Sequence, residues 1–126
     1  MTFLSLSCVS QQSINEIDGF TKTDWKALAE NPIKIIGHDW MLVTAGSLGE
    51  GFNMMTASWG SLGWLWEKPV AFIFVRPQRY TFEFTEKEDY FTLTFFESDY
   101  KKILGHMGTV SGRDFDKINN SGLTAV

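Results

Sequence analysis

The chain has 126 residues, a formal net charge of -4 at pH 7, and 15% aromatic residues. This length suits one domain with one core. The acidic balance argues against nucleic acid as the main partner, because phosphate contacts need a basic face. No apolar run approaches the roughly 18 residues that a membrane span needs. With a single cysteine and two histidines, an internal disulfide is excluded and a zinc or iron site is not expected.

Residues 1–20 show little periodic pattern, and we interpret them as a lead-in to a domain over residues 21–126. The weakly apolar stretch 3–9 resembles the tail of a lipoprotein signal, but no basic segment precedes it. Two interpretations follow. The stretch is the disordered start of a cytoplasmic protein, which we favour, or it is the remnant of an export signal with a lipid anchor at Cys8.

The first predicted elements are a short helix and a hairpin. Thr23 or Asp24 can cap a helix that ends before the following proline. Residues 40–45 are apolar or β-branched and predict a strand, and residues 53–59 predict a second. The glycine-rich stretch 46–51 between them predicts a turn, so the two strands should form a hairpin.

The second half of the chain predicts a mixture of strands and helices. Residues 60–67, rich in Gly and Trp, are predicted to be irregular, and the wholly apolar run 70–75 predicts a central, buried strand. The remaining predicted elements are a helix at 79–86, a strand at 90–96, a helix from Ser98 to Met107 and a short helix at 114–120.

Four strands with short helices predict a mainly β fold with α additions. Four strands do not readily close a barrel. We therefore expect either that a partner subunit completes the sheet or that the sequence is a fragment.

The segment NMMTASWG at 53–60 is the first candidate for binding. Strand alternation divides it into two faces, with Asn53, Met55, Ala57 and Trp59 on one and Met54, Thr56 and Ser58 on the other. The small and hydroxyl side chains allow a flat molecule with polar edges to lie against the backbone. The tryptophans Trp59, Trp64 and Trp66 offer a stacking surface for such a ring, with core packing or a dimer contact as the alternative.

A candidate anion site follows where a strand gives way to a helix. Arg76, Arg79 and Thr81 lie within six residues there. Helix N-termini attract phosphate through free N–H groups and the dipole, and arginine adds a bidentate charged donor. Together with the flat-ring strand, this pattern indicates a nucleotide-like cofactor. The alternative is that both arginines are solvated or pair with nearby glutamates.

The segment SGRDFDK at 111–117 is a second candidate for anion binding. Ser111 and its neighbouring glycine can cradle an anion, and Lys117 can reach it. The alternative is a helix cap followed by an Asp–Lys pair on a solvated surface. No nucleophilic set, paired carboxylates or dinucleotide loop is visible, so any chemistry is expected to depend on a cofactor.

Five motifs follow one another in a family order: NMMTASWG at 53–60, KPV at 68–70, RPQRYT at 76–81, FTL at 91–93 and SGRDFDK at 111–117. On these motifs the chain resembles the flavin reductase-like, flavoredoxin-type proteins with the FMN-binding split barrel. The resemblance covers residues 33–123. It implies a six-stranded split β-barrel, FMN held without a covalent bond, and a homodimer with FMN near the subunit interface.

The resemblance also implies site residues. The backbone of Met55, Thr56, Ala57 and Ser58 would meet the flavin ring, between Asn53 and Trp59, while Arg79 and Thr81 would hold the phosphate with help from Lys117 and Ser111. Arg76 is a secondary candidate. Family members continue for several dozen residues past the position of Leu123, so we expect the C-terminal part of the domain to be missing.

The implied function is that of an FMN-dependent oxidoreductase. Electrons would pass from NAD(P)H through FMN to a small-molecule or protein acceptor. One alternative is a flavoredoxin-type electron-transfer protein that does not react with NAD(P)H directly. The other is a truncated, cofactor-free module that serves structure or dimerisation.

Overall fold

The structure is a computed structural model that describes residues 20–126. The predicted lead-in up to residue 19 lies outside the described residues, and so does the proposed anchor at Cys8. Within the described part of the chain, no helix combines the length and the apolar character that crossing a bilayer requires.

Five strands and two α-helices follow a short N-terminal helical region, which consists of a 3-10 turn, Trp25–Ala27, and a π-helical segment, Lys34–Asp39. The strands are β1 Met41–Ser47, β2 Gly51–Ala57, β3 Gly60–Leu65, β4 Lys68–Ile73 and β5 Phe91–Thr94. The helices are α1 Tyr80–Lys87 and α2 Lys101–Thr109, and a 3-10 turn, Ser98–Tyr100, leads into α2. Both central helices are thus confirmed, whereas the predicted N-terminal helix is only a 3-10 turn, capped by Asp24 as expected.

The strands form two separate antiparallel sheets that do not close into a barrel. One sheet has the order β2-β1-β5, and the other is the β3–β4 pair. The predicted first hairpin is confirmed, with β1 and β2 in register from Met41 opposite Ala57 to Ser47 opposite Gly51. The architecture is therefore mainly β with short helices.

Strand β3 corrects the prediction that residues 60–67 are irregular. Gly60 lies where the two sheets approach closely, since a Cβ there would be 2.7 Å from the Phe72 carbonyl oxygen and 2.8 Å from the Met41 side chain. Glycine inside a strand can mark such a close approach of another element. Gly60 thus reflects close packing rather than loss of regular structure.

Strand β4 is regular, as predicted, but it is neither central nor fully buried. It pairs only with β3 among the described strands, and Phe72 is 44% exposed. Ala71 and Ile73 pack on the core, while Phe72 alternates to the outer face. An apolar run predicts a strand, but it does not determine whether a second layer covers the outer face.

The short helix predicted at 114–120 is also wrong, because this segment consists of turns. Asp116 accepts hydrogen bonds from the Asn119 main-chain N–H at 3.1 Å and from Asn119 Nδ2 at 2.7 Å. Such local side-chain bonds offer the backbone an alternative to helical pairing. They stabilise the turn conformation at this point in the chain.

The core has two parts, one on each face of the three-stranded sheet. On one face, Met41, Val43 and Met55 pack with the π-helical segment and with side chains of β3 and β4. On the other face, Leu42 and Met54 pack against Leu104 and Met107 of α2. Both of these α2 residues are 1% exposed, so this face of the helix is fully buried against the sheet.

Gly46 in the β1–β2 hairpin gives a direct test of this geometry. Its φ is +105°, and a Cβ would lie 2.4 Å from the Gly51 carbonyl oxygen. We expect Gly46→Ala to lower the free energy of unfolding by more than about 1 kcal/mol. Urea titration measures the change. Gly49→Ala is the matched control, since its Cβ would meet no atom within 4 Å; equal midpoints for both variants would contradict the hairpin geometry.

Candidate functional site

A buried side-chain hydrogen bond joins β2 to the start of α1. Asn53 Nδ2 donates to Thr81 Oγ1 at 2.8 Å. Asn53 is 6% exposed and Thr81 1%. Thr81 is the second residue of α1, whose N-cap residue, Arg79, makes no side-chain capping bond. The hydrogen bond therefore ties the beginning of this helix to the strand predicted to carry the cofactor.

Lys117 lies beneath the 111–117 segment, with only 6% of its surface exposed. Its ammonium donates to the Met54 carbonyl of β2 at 2.7 Å and to the Met107 carbonyl of α2 at 3.0 Å. The alternative interpretation, an Asp–Lys pair on a solvated surface, is therefore wrong. Burial, and the nearby positive charge of Arg79, lower the pKa of Lys117 to about 8.

Arg79 lies at the same end of α2, where it donates to the Gly108 carbonyl at 3.1 Å. The last carbonyls of a helix lack intrahelical partners, and cations there interact favourably with the dipole. In the part of the chain that the structure describes, the ion pairs within 4.0 Å include neither Arg79 nor Lys117. Arg79 is thus close enough to Lys117 for its charge to act on the ammonium, and neither cation forms an ion pair within 4.0 Å in the described residues.

The glutamates near the arginines have other partners. Glu83 pairs with Arg113, whose guanidinium also lies 4.8 Å from the Tyr80 ring centroid, and Glu88 pairs with Lys87. Arg76 lies over the Trp59 ring at 5.8 Å, a cation–π distance. The interpretation that Arg76 and Arg79 pair with nearby glutamates is therefore wrong within residues 20–126.

The segment after α2 packs directly on Asn53. A Cβ at Gly112 would lie 2.0 Å from Asn53 Oδ1, so only glycine fits this contact. Ser111 Oγ accepts from the Arg113 main-chain N–H at 3.2 Å. The Arg113–Glu83 pair fastens the same segment to α1.

An open cleft of about 520 Å³ separates the start of β2 from this segment. Its lining includes the apolar residues Leu48, Phe52, Phe115 and Ile118. The polar and charged residues of the lining are Asn53, Arg113, Asp114, Asp116 and Lys117, so two carboxylates and two cations share the cleft. Thr81 and Arg79 are not part of the lining. The structure thus places Asn53 and Lys117 on the cleft, whereas Ser111, Arg79 and Thr81 are not among its lining residues.

The predicted ring-binding residues lie farther along β2. The side chains of Met55 and Ala57 are buried in the core, and the Thr56 hydroxyl donates to the Leu104 carbonyl at 2.6 Å. Met55 and Ala57 lie opposite Val43 and Met41 in the ladder with β1, so of these three residues it is Thr56 whose main-chain groups face the outer edge. Ser58 and Trp59 connect β2 to β3, and Trp59 is 61% exposed.

The other two tryptophans of this region are also exposed, Trp64 by 58% and Trp66 by 85%. Core packing, one alternative for the three tryptophans, is therefore wrong. Trp64 lies against Trp25, with their ring centroids 5.2 Å apart.

Several contacts of this site were not predicted from sequence. These contacts join segments that are far apart in the chain. They are the close approach of Gly112 to Asn53, the Arg113–Glu83 pair and the bonds of Lys117 to its carbonyl partners. The Ser-Gly pair ahead of Arg113 is the one signal that pointed to the region. In residues 20–126, no group of three or more His, Cys, Asp or Glu side chains is arranged to hold a metal ion.

Comparison with known proteins adds no family assignment to this geometry. No family model matches the chain, and it matches no curated protein and no solved structure. The function is therefore argued below from the residues and their contacts.

The lowered pKa of Lys117 predicts how stability changes with pH. Its ordinary pKa is 10.5 and its pKa in the folded chain is about 8. Between these values the unfolded chain binds more protons, so the free energy of unfolding should rise as the pH increases from about 8 to about 10.5. Lys117→Met should remove this rise.

Urea midpoints at pH 8, 9 and 10 test the prediction. Lys102→Met, at an exposed lysine of α2, is the matched control and should keep the rise of the unmodified protein. Parallel pH profiles for the Lys117→Met variant and the unmodified protein would show that Lys117 does not titrate in this range.

Proposed function

We propose that the chain binds FMN without a covalent bond along β2 and acts as a flavin reductase-like oxidoreductase. The observation that carries the proposal is the pair of cations, Arg79 and Lys117, held close together without a carboxylate partner at the Asn53 end of β2. The motif order in the sequence supports the same cofactor. NAD(P)H is the proposed electron donor, and the acceptor is a small molecule or a protein.

The cation pair suits the phosphate group of FMN. Each positive charge raises the free energy of the other, and a dianion bound between them would reverse this effect. Arg79 has five N–H donors and Lys117 has three. The recorded bonds to main-chain carbonyls occupy one donor of Arg79 and two of Lys117. We propose that the remaining donors, with Asn53, Thr81 and Ser111, hold the phosphate.

The outer edge of β2 suits the ring. Within the described sheets β2 pairs only with β1, so alternate main-chain groups of β2 point away from β1. The Met54 carbonyl on this edge accepts from Lys117, and Thr56, two residues farther on, faces the same way. We propose that the main-chain groups of Thr56 and Ser58 hydrogen-bond the polar edge of the ring, beside Trp59, while those of Met55 and Ala57 face β1.

Bound FMN would supply the redox chemistry, accepting hydride from NAD(P)H and releasing electrons to the acceptor. The role proposed for the residues of this chain is to bind and orient the cofactor. Main-chain N–H groups of β2 would stabilise negative charge at the ring edge, as preorganised donors do in other active sites. No side chain is proposed as a general acid or base.

The split barrel and the homodimer belong to the same proposal. The described strands form two open sheets, which leaves room for further strands or a second subunit. Large apolar side chains are exposed on and around β3 and β4, among them Trp66 at 85% and Phe74 at 63%. Large exposed apolar patches commonly mark interaction sites, and a second copy of the chain is the proposed partner.

Arg79→Ala tests the phosphate assignment. We expect it to weaken FMN binding by about 1–3 kcal/mol, the scale of a lost hydrogen bond to a charged group. Titration of FMN, followed by its fluorescence and visible absorption, measures the dissociation constant. Lys102→Ala, which removes an equal charge from the exposed surface of α2, should leave the constant unchanged. An unchanged constant for Arg79→Ala would contradict the assignment, and an unmodified protein that does not bind FMN would favour the cofactor-free module.

Stopped-flow mixing with NADH and NADPH separates the enzyme from the electron carrier. We expect the absorption band of bound FMN to bleach rapidly with at least one of the two nucleotides. A protein that holds FMN but keeps the band after mixing would be a flavoredoxin-type carrier.

A further inference from the structure

Asn53 and Thr81 have different access to the cleft. Asn53 lines it, whereas Thr81 is 1% exposed and does not. The hydrogen bond of 2.8 Å between them therefore runs from a cleft residue to a residue behind it. A ligand in the cleft would meet the Asn53 amide before it could reach the Thr81 hydroxyl.

The geometry also restricts the orientation of the Asn53 amide. One N–H of Nδ2 is directed to Thr81 Oγ1, and Gly112 closes the space beside Oδ1, where even a Cβ would lie 2.0 Å away. An amide nitrogen has two N–H donors. With one of them bound to Thr81, the second remains for an acceptor in the cleft, such as a phosphate oxygen.

We propose that Thr81 is a positioning residue, whose hydroxyl holds the Asn53 amide at the cleft so that Asn53 donates to the anionic group of the ligand. This assignment rests on the proposed function and changes the role of Thr81 within it. Thr81 acts through Asn53 rather than by direct contact with the phosphate. Gly112 serves the same end, because any side chain at that position would displace the amide.

Binding of FMN and of riboflavin, which lacks the phosphate, tests the proposal. Thr81→Val keeps the shape of the side chain but removes the hydroxyl, and it should weaken FMN binding roughly three- to tenfold while leaving riboflavin binding unchanged. Thr81→Ser should restore FMN binding. In an Asn53→Ala background, Thr81→Val should have no further effect, whereas direct contact of Thr81 with the phosphate would make the two losses additive.

Gly112→Ala perturbs the same Asn53 amide at its Oδ1 atom. It should reduce FMN binding and spare riboflavin binding, with Gly105→Ala in α2 as the matched control, since a Cβ there meets no atom within 4 Å. The NMR signal of the Asn53 side-chain amide, identified by its loss in Asn53→Ala, reports the amide without any flavin. It should shift in Thr81→Val and keep its position in Thr81→Ser.

The outcomes separate this inference from the proposed function. Three results would overturn the positioning role even if the unmodified protein binds FMN. They are equal losses of affinity for both flavins, additive losses in the double variant, and an Asn53 signal that does not move in Thr81→Val. An unmodified protein that binds neither flavin would overturn the proposed function and this inference with it.

Discussion

Two neighbouring residues of β2, Asn53 and Met54, connect the sheet to α1, to α2 and to the segment that carries Lys117. Asn53 Nδ2 donates to Thr81 Oγ1 at the start of α1, and the Met54 carbonyl accepts from the ammonium of Lys117. The same ammonium reaches Met107 near the end of α2. These bonds are buried, where leaving a polar group unpaired costs about 1–3 kcal/mol. The positions of both helices relative to the sheet, and hence the shape of the cleft, depend on them.

The charges at this point are held in place before any ligand arrives. Arg79 and Lys117 both donate to carbonyls in the last turn of α2, an arrangement that the helix dipole favours. Their mutual repulsion and the burial of Lys117 act in the opposite direction, which the lowered pKa of Lys117 records. A bound anion would offset the repulsion between the two cations, and the two side chains would not have to be rearranged. Preorganisation of this kind reduces the free energy that binding must spend on ordering side chains.

Local patterns in the sequence predicted part of the local structure. The turn glycines identified the β1–β2 hairpin, and helical spacing identified α1 and α2, because each depends on neighbours in the chain. Burial depended on distant contacts and was harder to predict. The exposure of β4 follows from which layers cover it, and the carbonyl partners of Lys117 lie 10 and 63 residues away. The motifs pointed to Asn53, Thr81 and Lys117, but only the fold shows which of them reach the cleft.

The contacts along β2 also limit how an elongated ligand can lie there. A strand rises about 3.3 Å per residue, so Asn53 and Ala57 are separated by about 13 Å. The Asn53 end carries positive charge, and beyond the Ala57 end lies the exposed ring of Trp59 under Arg76. Lys117 already occupies the Met54 carbonyl, so main-chain contacts to a ligand would begin beyond it, at Thr56. In the proposed binding mode, the FMN phosphate would lie at the Asn53 end, the flat ring would lie beside Trp59, and the flexible ribityl chain would join them.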